Sequence, residues 1–242
     1  MNRQVPTNYY LLIGRGRLAT HLAAYFDFKN IPFLQWSRVD SLDDLKKFIP
    51  MSQRIFLAIS DDAIEPFITT HQLPRDKTIH FSGALSTPLA YQLHPLMTFA
   101  KELYEPETYE TMAFISTASV FPNSAPSLSE LIPELSNKHY FIPEGREAFY
   151  HALCVLSGNG TTLLWQAAIE QFQKTLGLPA EAVWPYLEQI IFNLQKNPTT
   201  ALTGPWARND QKTILKNEHA LQSTALGSLY QSFQGVYHED RT

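Results

Sequence analysis

Cysteine is all but absent. The single residue, Cys154, permits no intramolecular disulfide, and no Cys/His spacing suggests a metal site, so none is expected. Long hydrophobic runs are missing too: no stretch approaches the roughly 18 apolar residues that cross a bilayer. The opening MNRQVPTNYYLLIG has only a short apolar run before a glycine. It lacks the longer apolar core and cleavage pattern of a secretory signal, so a cytoplasmic protein is expected. Nor is there an excess of one charge: 19 Lys plus Arg against 23 Asp plus Glu gives a formal net charge of −4. So weakly acidic a chain has no electrostatic footprint for nucleic acid or an anionic membrane. An anionic ligand would have to be held by local geometry. No internal repeat or low-complexity segment occurs. What is present, 44% hydrophobic and 17% charged residues over 242 positions, suits a folded protein of one large domain or two modest ones.

Two textures divide the chain. Up to about residue 146, short apolar runs alternate with polar stretches. Tyr9 to Ile13 is a continuous apolar run closed by Gly14, as in a strand buried on both faces. Arg17 to Phe26 reads as a helix, Ile31 to Trp36 as a strand, and Ser41 with Asp44 as the near capping box of a second helix. Further strands are expected at Arg54 to Ile59, Thr78 to Phe81, Tyr91 to Leu93, Met112 to Ser116 and His139 to Ile142, with a helix over Ser127 to Leu135. Alternating strands and helices imply an α/β domain with a mostly parallel sheet. From Glu144 to about Leu176 the pattern predicts one long helix. Phe149, Leu153, Leu156, Leu163 and Ala167 form one apolar stripe, and Cys154, Trp165 and Phe172 a second. A helix apolar on more than one side is buried or at a subunit contact. Helices over Trp184 to Gln195, after Asp210, and over Ser223 to Phe233 complete an all-α region. The expected domains are 1–146, binding a nucleotide, and 147–242, helical.

Gly14-Arg15-Gly16-Arg17-Leu18-Ala19 carries the chemistry. This G-x-G-x-x-A string follows the first buried strand and opens the first helix. The first glycine permits the tight turn, the second admits a pyrophosphate against the backbone, and the small third residue lets helix and strand pack closely. The helix N-terminus offers free N–H groups and a partial positive charge to phosphates. NAD sites then place Asp or Glu at the end of the second strand. Here the segment is Gln35-Trp36-Ser37-Arg38, with no carboxylate before Asp40. Ser37 can donate to a 2′-phosphate and Arg38 can pair with it, with Arg15 and Arg17 adding positive charge. The expected cofactor is therefore NADP rather than NAD; a solvated surface Arg38 is the plainer alternative.

These residues resemble a known family. The order GRGRLA, WSR, FLAISDDAI, HFSGALS, HPLMTF is similar to Rossmann-like NADP oxidoreductases with an all-helical C-terminal domain of unknown function. Tyr150-His151-Ala152, Asn159, LTGPWARND at 202–210, His219 and Tyr230 extend the likeness over nearly the whole chain. The family resembles pyrroline-5-carboxylate reductase, deazaflavin-dependent NADP reductases and the 6-phosphogluconate dehydrogenase superfamily. The resemblance implies a helical domain of the 6-phosphogluconate dehydrogenase C-terminal type, a homodimer through that domain, and an active site in the interdomain cleft. The implied reaction moves hydride between NADP(H) and a small carbonyl, imine or hydroxy-acid substrate. One feature departs: β-hydroxy-acid relatives carry a lysine one turn before the asparagine of the long helix, where Val155 stands here. That gap keeps open an NADP(H)-binding regulatory or sensor protein without catalysis.

Several groups are candidates for the reaction. His94, at a strand end, titrates near neutrality and can exchange a proton; it can equally satisfy a turn before Pro95. Ser82 and Gly83 end the preceding strand and can meet the nicotinamide or the substrate, or form a plain turn. Ser60 and Asp61 follow the third strand, where loops run along the cofactor; helix capping is the favoured role for Asp61 or Asp62. Gly158 and Gly160 in a helix interior suggest a close approach to the backbone, and Asn159 between them can orient a carbonyl oxygen. Arg208 offers a bidentate fork to a substrate carboxylate, or pairs locally where Asp210 caps a helix.

Overall fold

The computed structural model describes residues 9–118 and 125–239. Two compact units divide it, one ending at Val155 and one beginning at Leu156.

The first unit is built on β1 (Tyr10–Ile13), α1 (Arg17–Phe28), β2 (Phe33–Trp36), α2 (Leu42–Met51), β3 (Arg54–Leu57), α3 (Asp61–His71), β4 (Thr78–His80) and β5 (Tyr91–Gln92). The five strands form one sheet of order β2-β1-β3-β4-β5, and every neighbouring pair is parallel. β1 is buried at every position, as its unbroken apolar run requires, because helices cover both faces of the sheet. Two cores result. Leu12, Ala19, Phe26 and Phe56 lie in one, and Leu11, Ile13, Leu45, Ile55 and Ile64 in the other. Alternate residues of β1 and β3 thus serve opposite faces.

Four features differ from the sequence reading. A second sheet forms from β6 (His94–Leu96), β7 (Ala113–Thr117) and β8 (His139–Ile142), in the order β6-β7-β8. β6 runs antiparallel to β7, and β8 is parallel to it. Pro95 has no N–H for a ladder, and β6 is accordingly an edge strand. A short helix α4 (Pro106–Thr111) precedes β7, and α5 covers only Leu128–Leu131. Ser127 and Glu130 make a full capping box there, but Pro133 follows two residues beyond the helix end and bars its continuation. The long helix is interrupted: α6 (Glu147–Cys154) is followed by a π-helical segment Val155–Gly160 and then α7 (Thr161–Lys174).

The second unit holds α7 with α8 (Trp184–Lys196), α9 (Gly204–Ala207), α10 (Gln211–Leu221) and α11 (Leu226–Glu239). Asp210 caps α10, accepting the Thr213 N–H at 3.1 Å and its hydroxyl at 2.7 Å. No helix among the described residues is long and apolar enough to cross a membrane.

Candidate functional site

In the sheet order β2-β1-β3 the chain reverses direction at β1. Open α/β sheets bind ligands at such a switch point, outside the carboxyl ends of the strands. A cavity of about 710 Å³ lies there, lined by residues that follow β1 (Gly14 to Leu18), β2 (Ser37 to Val39) and β3 (Ala58 to Ser60). The turn after β1 has the geometry its glycines suggest. Gly14 adopts φ +127°, and a Cβ on it would overlap the Ala58 carbonyl oxygen and lie 3.6 Å from the Ala19 Cβ. Ala19 is itself fully buried. The first and third small residues thus allow the helix to pack on the strands. Gly16 differs: nothing lies within 4 Å of a Cβ there, so it leaves open space. It is the N-cap of α1, whose first turn carries no acidic side chain.

Not every residue expected at the cofactor's ribose is free to act there. The Ser37 hydroxyl, expected to donate to a 2′-phosphate, donates to Asp40 at 2.9 Å, and the Ser37 N–H does so at 2.8 Å. Arg15 also pairs with Asp40, at 3.0 and 3.1 Å. The Ser37 bonds, with Arg15 adding to them, hold the Asp40 carboxyl below the usual range. Arg17 and Arg38 line the cavity, and both are exposed.

A second cluster forms beyond β3, β4 and β5. Ser60 is the N-cap of α3, but its side chain makes no cap bond, and it lines the cavity instead. Asp61, expected to cap, takes the Ser82 hydroxyl at 2.6 Å. That hydroxyl also accepts from the N–H groups of Ala84 (3.2 Å) and Leu85 (3.0 Å), so Ser82 has no hydrogen left for a nicotinamide amide. His94 opens β6 rather than closing a strand, because Leu93 makes the last bond toward β4, to the His80 carbonyl. Its Nδ1 lies 2.7 Å from the Tyr150 hydroxyl. A Cβ on Gly83 would lie 2.9 Å from His94 Nε2 and 2.8 Å from His151 Cδ2, so the missing side chain admits both rings. Burial, with the charge of His151 adding and Asp61 opposing, pulls the His94 pKa down to about 4. His94 is therefore neutral at pH 7. His80, buried beside them with an unpartnered Nδ1, is likewise pulled to about 4, chiefly by burial. Burial, with a bond to Cys154 adding, raises the Tyr150 phenol. Sequence reasoning singled out His151 on the long helix without giving it a role, and passed over Tyr150 as a site residue. The signal for Tyr150 was the YHA string on the long helix, 56 positions from its partner His94.

One serine–histidine pair is not a nucleophile. His139 Nδ1 accepts the Leu128 N–H, so its hydrogen sits on Nε2, 2.8 Å from Ser116 Oγ, which donates to the Gln92 carbonyl. The imidazole therefore cannot take the serine's proton.

The remaining expected residues belong to the second unit. Asn159 is exposed within the π-helical segment. Among the described residues nothing lies within 4 Å of a Cβ on Gly158, so no neighbouring segment of this chain packs against that glycine. Arg208 is exposed beside the Asp210 cap. A cavity of about 500 Å³ is lined by Leu202 to Trp206 together with Tyr186, Ile190 and Tyr230. The Trp206 ring packs on Tyr230 with centroids 4.9 Å apart.

Sheet order, glycine turn and cavity together define a Rossmann-like α/β protein carrying a helical C-terminal region. The chain belongs to the family described as Domain of unknown function (DUF2520), which it matches over residues 113–235. Comparison by sequence with curated proteins gives no significant match. In fold it is similar to a candidate NADP oxidoreductase from Bacteroides fragilis, with TM-score 0.72 and 21% identity over 96% of this chain and 98% of that one. It is also similar to an imine reductase from Streptomyces aurantiacus, with TM-score 0.61 and 14% identity over 96% and 93% of the two chains. A reductive aminase from Aspergillus terreus, solved with NADPH and ethyl levulinate, gives TM-score 0.58 and 13% identity over 97% and 93%.

Proposed function

We propose that the protein is an NADP-dependent oxidoreductase acting on a small carbonyl, imine or hydroxy-acid substrate. One observation carries the reading: the Gly14–Ala19 turn, exposed Arg38 and the open space at Gly16 meet in a single cavity at the sheet's switch point. The residues fit a dinucleotide. The α1 N-terminus offers unpaired N–H groups for a pyrophosphate, with Arg17 beside it. Arg38 supplies a fork for a 2′-phosphate. When bound, the cofactor supplies the hydride chemistry. The fold neighbours named for imine reduction and for reductive amination with NADPH support the same class.

His94 and Tyr150 are the proton-handling groups. Neutral His94, held by the Tyr150 hydroxyl at 2.7 Å, can take the proton that a hydroxyl or amine substrate releases as its carbon loses hydride, and the imidazolium so formed returns that proton in the direction of reduction. Asn159 and Arg208 orient the substrate's carbonyl and carboxylate in this reading. Val155, not a lysine, stands one turn before Asn159, and that observation favours the second reading, a nucleotide sensor without turnover.

Fluorescence titration with NADPH and NADH tests the cofactor. Wild type should prefer NADPH, and Arg38→Ala should weaken NADPH about 10- to 100-fold while sparing NADH, as loss of a charged hydrogen bond requires. Equal losses would remove Arg38 from the 2′-phosphate. A carbonyl and imine panel then separates enzyme from sensor, and full turnover by His94→Ala would exclude His94 from proton transfer.

The helical region acts as a dimerisation element in this proposal. Its buried apolar residues are only Val183, Leu187 and Ile214 among those described, whereas Leu156, Leu163, Phe192 and Val236 are each more than half exposed. Such faces mark contact surfaces. Sedimentation should find two chains per particle; a single chain would assign those faces to another partner. With its single cysteine, such an enzyme suits the reducing cytoplasm.

A further inference from the structure

The carboxylate of Asp40 sits in an anion site beside the cavity. A guanidinium (Arg15), a backbone N–H and a hydroxyl (both Ser37) all donate to it, at 2.8 to 3.1 Å. Guanidinium, amide and hydroxyl donors converging on one point are what phosphate oxygens also take. Arg15 and Ser37 both line the cavity wall. Asp40 is not placed as the acid of an NAD site. Such an acid presents a free oxygen to a ribose hydroxyl, whereas both oxygens of Asp40 are already engaged by its own chain.

We propose that Asp40 is a built-in stand-in for the 2′-phosphate, displaced when NADP(H) binds and left in place by NAD(H). This rests on the NADP reading above. The exchange is physically open. The Asp40 side chain is 30% exposed, so it can turn outward. The turn that carries it is closed independently by the Asp40 N–H to the Ser37 carbonyl at 2.9 Å. The dianionic phosphate then inherits Arg15 and the Ser37 donors, and adds Arg38. Asp40 is thus a specificity-determining residue that works against NADPH, both by holding the donors and by its negative charge. NADH pays neither cost.

Asp40→Asn tests this, because the amide oxygen keeps an acceptor for the Ser37 N–H while the charge is lost. Full-length wild type and variant are titrated with NADPH and NADH by nucleotide fluorescence, with melting temperature as the folding control. The variant should bind NADPH about tenfold more tightly, on the scale of one charged hydrogen bond, with NADH unchanged. Asp40→Ser should move NADPH the same way, and adding Arg15→Met to Asp40→Asn should abolish the gain. If Asp40→Asn weakens NADH selectively, Asp40 is a ribose acceptor and the proposal fails. Equal weakening of both nucleotides reduces it to a turn cap, and NADPH affinity unchanged in a folded variant likewise overturns it. Those results leave the NADP reading standing provided wild type binds NADPH. Wild type that binds neither nucleotide sinks both.

Discussion

Gly14→Ala should yield little or no folded protein, whereas Gly16→Ala, two residues away, should fold normally and lose nucleotide binding. The first result follows from two independent costs. Gly14 sits at φ +127°, a conformation that side-chain-bearing residues rarely adopt. Its added Cβ would overlap the Ala58 carbonyl oxygen and stand 2.9 Å from the Ala58 carbonyl carbon. Neither atom can rotate away, because both belong to the backbone leaving β3. Relief requires β1 and β3 to part where the Ala58 N–H bonds the Ile13 carbonyl at 2.9 Å. Residues forced into such conformations cost of order 1–3 kcal/mol, and overpacking adds a similar amount. Against a total stability of about 5–15 kcal/mol, that removes much of the margin. Gly16 has an ordinary φ of −72° and open space around it. Alanine there changes the melting temperature little, but its methyl fills the space a pyrophosphate needs. Measuring melting temperature and NADPH affinity on both variants checks the pair. Equal melting temperatures for the two would show that the β1–β3 contact does not decide folding.

Acid should destabilise the protein well above the pH at which carboxylates are protonated. His80 and His94 both have folded-state pKa values near 4, against an ordinary 6.5. Between those values the unfolded chain binds two protons that the folded chain refuses. Stability is therefore fully present above about pH 6.5 and is lost as the pH falls toward 4. The slope reaches about 2.7 kcal/mol per pH unit for the two together. His139, also lowered by burial, acts in the same direction. The lowered carboxyls of Asp40, Glu130 and Asp210 contribute only below their ordinary range near pH 4. Melting temperatures measured from pH 7.5 to 4.5 should fall steadily, and His80→Gln should shallow the fall. A flat profile to pH 5 would mean that these histidines are not buried neutral in solution.

The locally determined parts of the molecule were legible in the sequence. The run Tyr10–Ile13 ending in Gly14 is a strand because a fully apolar segment needs cover on both faces. The glycine turn needs no distant partner to be recognised, since its φ and its small third residue are properties of a few consecutive positions. The alternation up to β5 and the helices α7, α8, α10 and α11 follow from spacing and cap residues, whereas the four-residue α9 carries no such pattern.

What the sequence could not reveal was which polar atoms meet. Asp40 lies three residues past Ser37, yet only the folded turn shows its carboxylate taking the Ser37 and Arg15 donors that the sequence assigns to a phosphate. Ser82 and Asp61, 21 residues apart, satisfy each other, and His94 finds Tyr150 across 56 residues. The second sheet and the π-helical segment escaped for a related reason, since strand pairing and helix register are chosen by packing between distant segments. Hydrophobic periodicity is written residue by residue, because burying apolar area demands no particular partner. Hydrogen bonds are directional and short, so their partners are decided only when tertiary packing brings distant atoms within 3 Å.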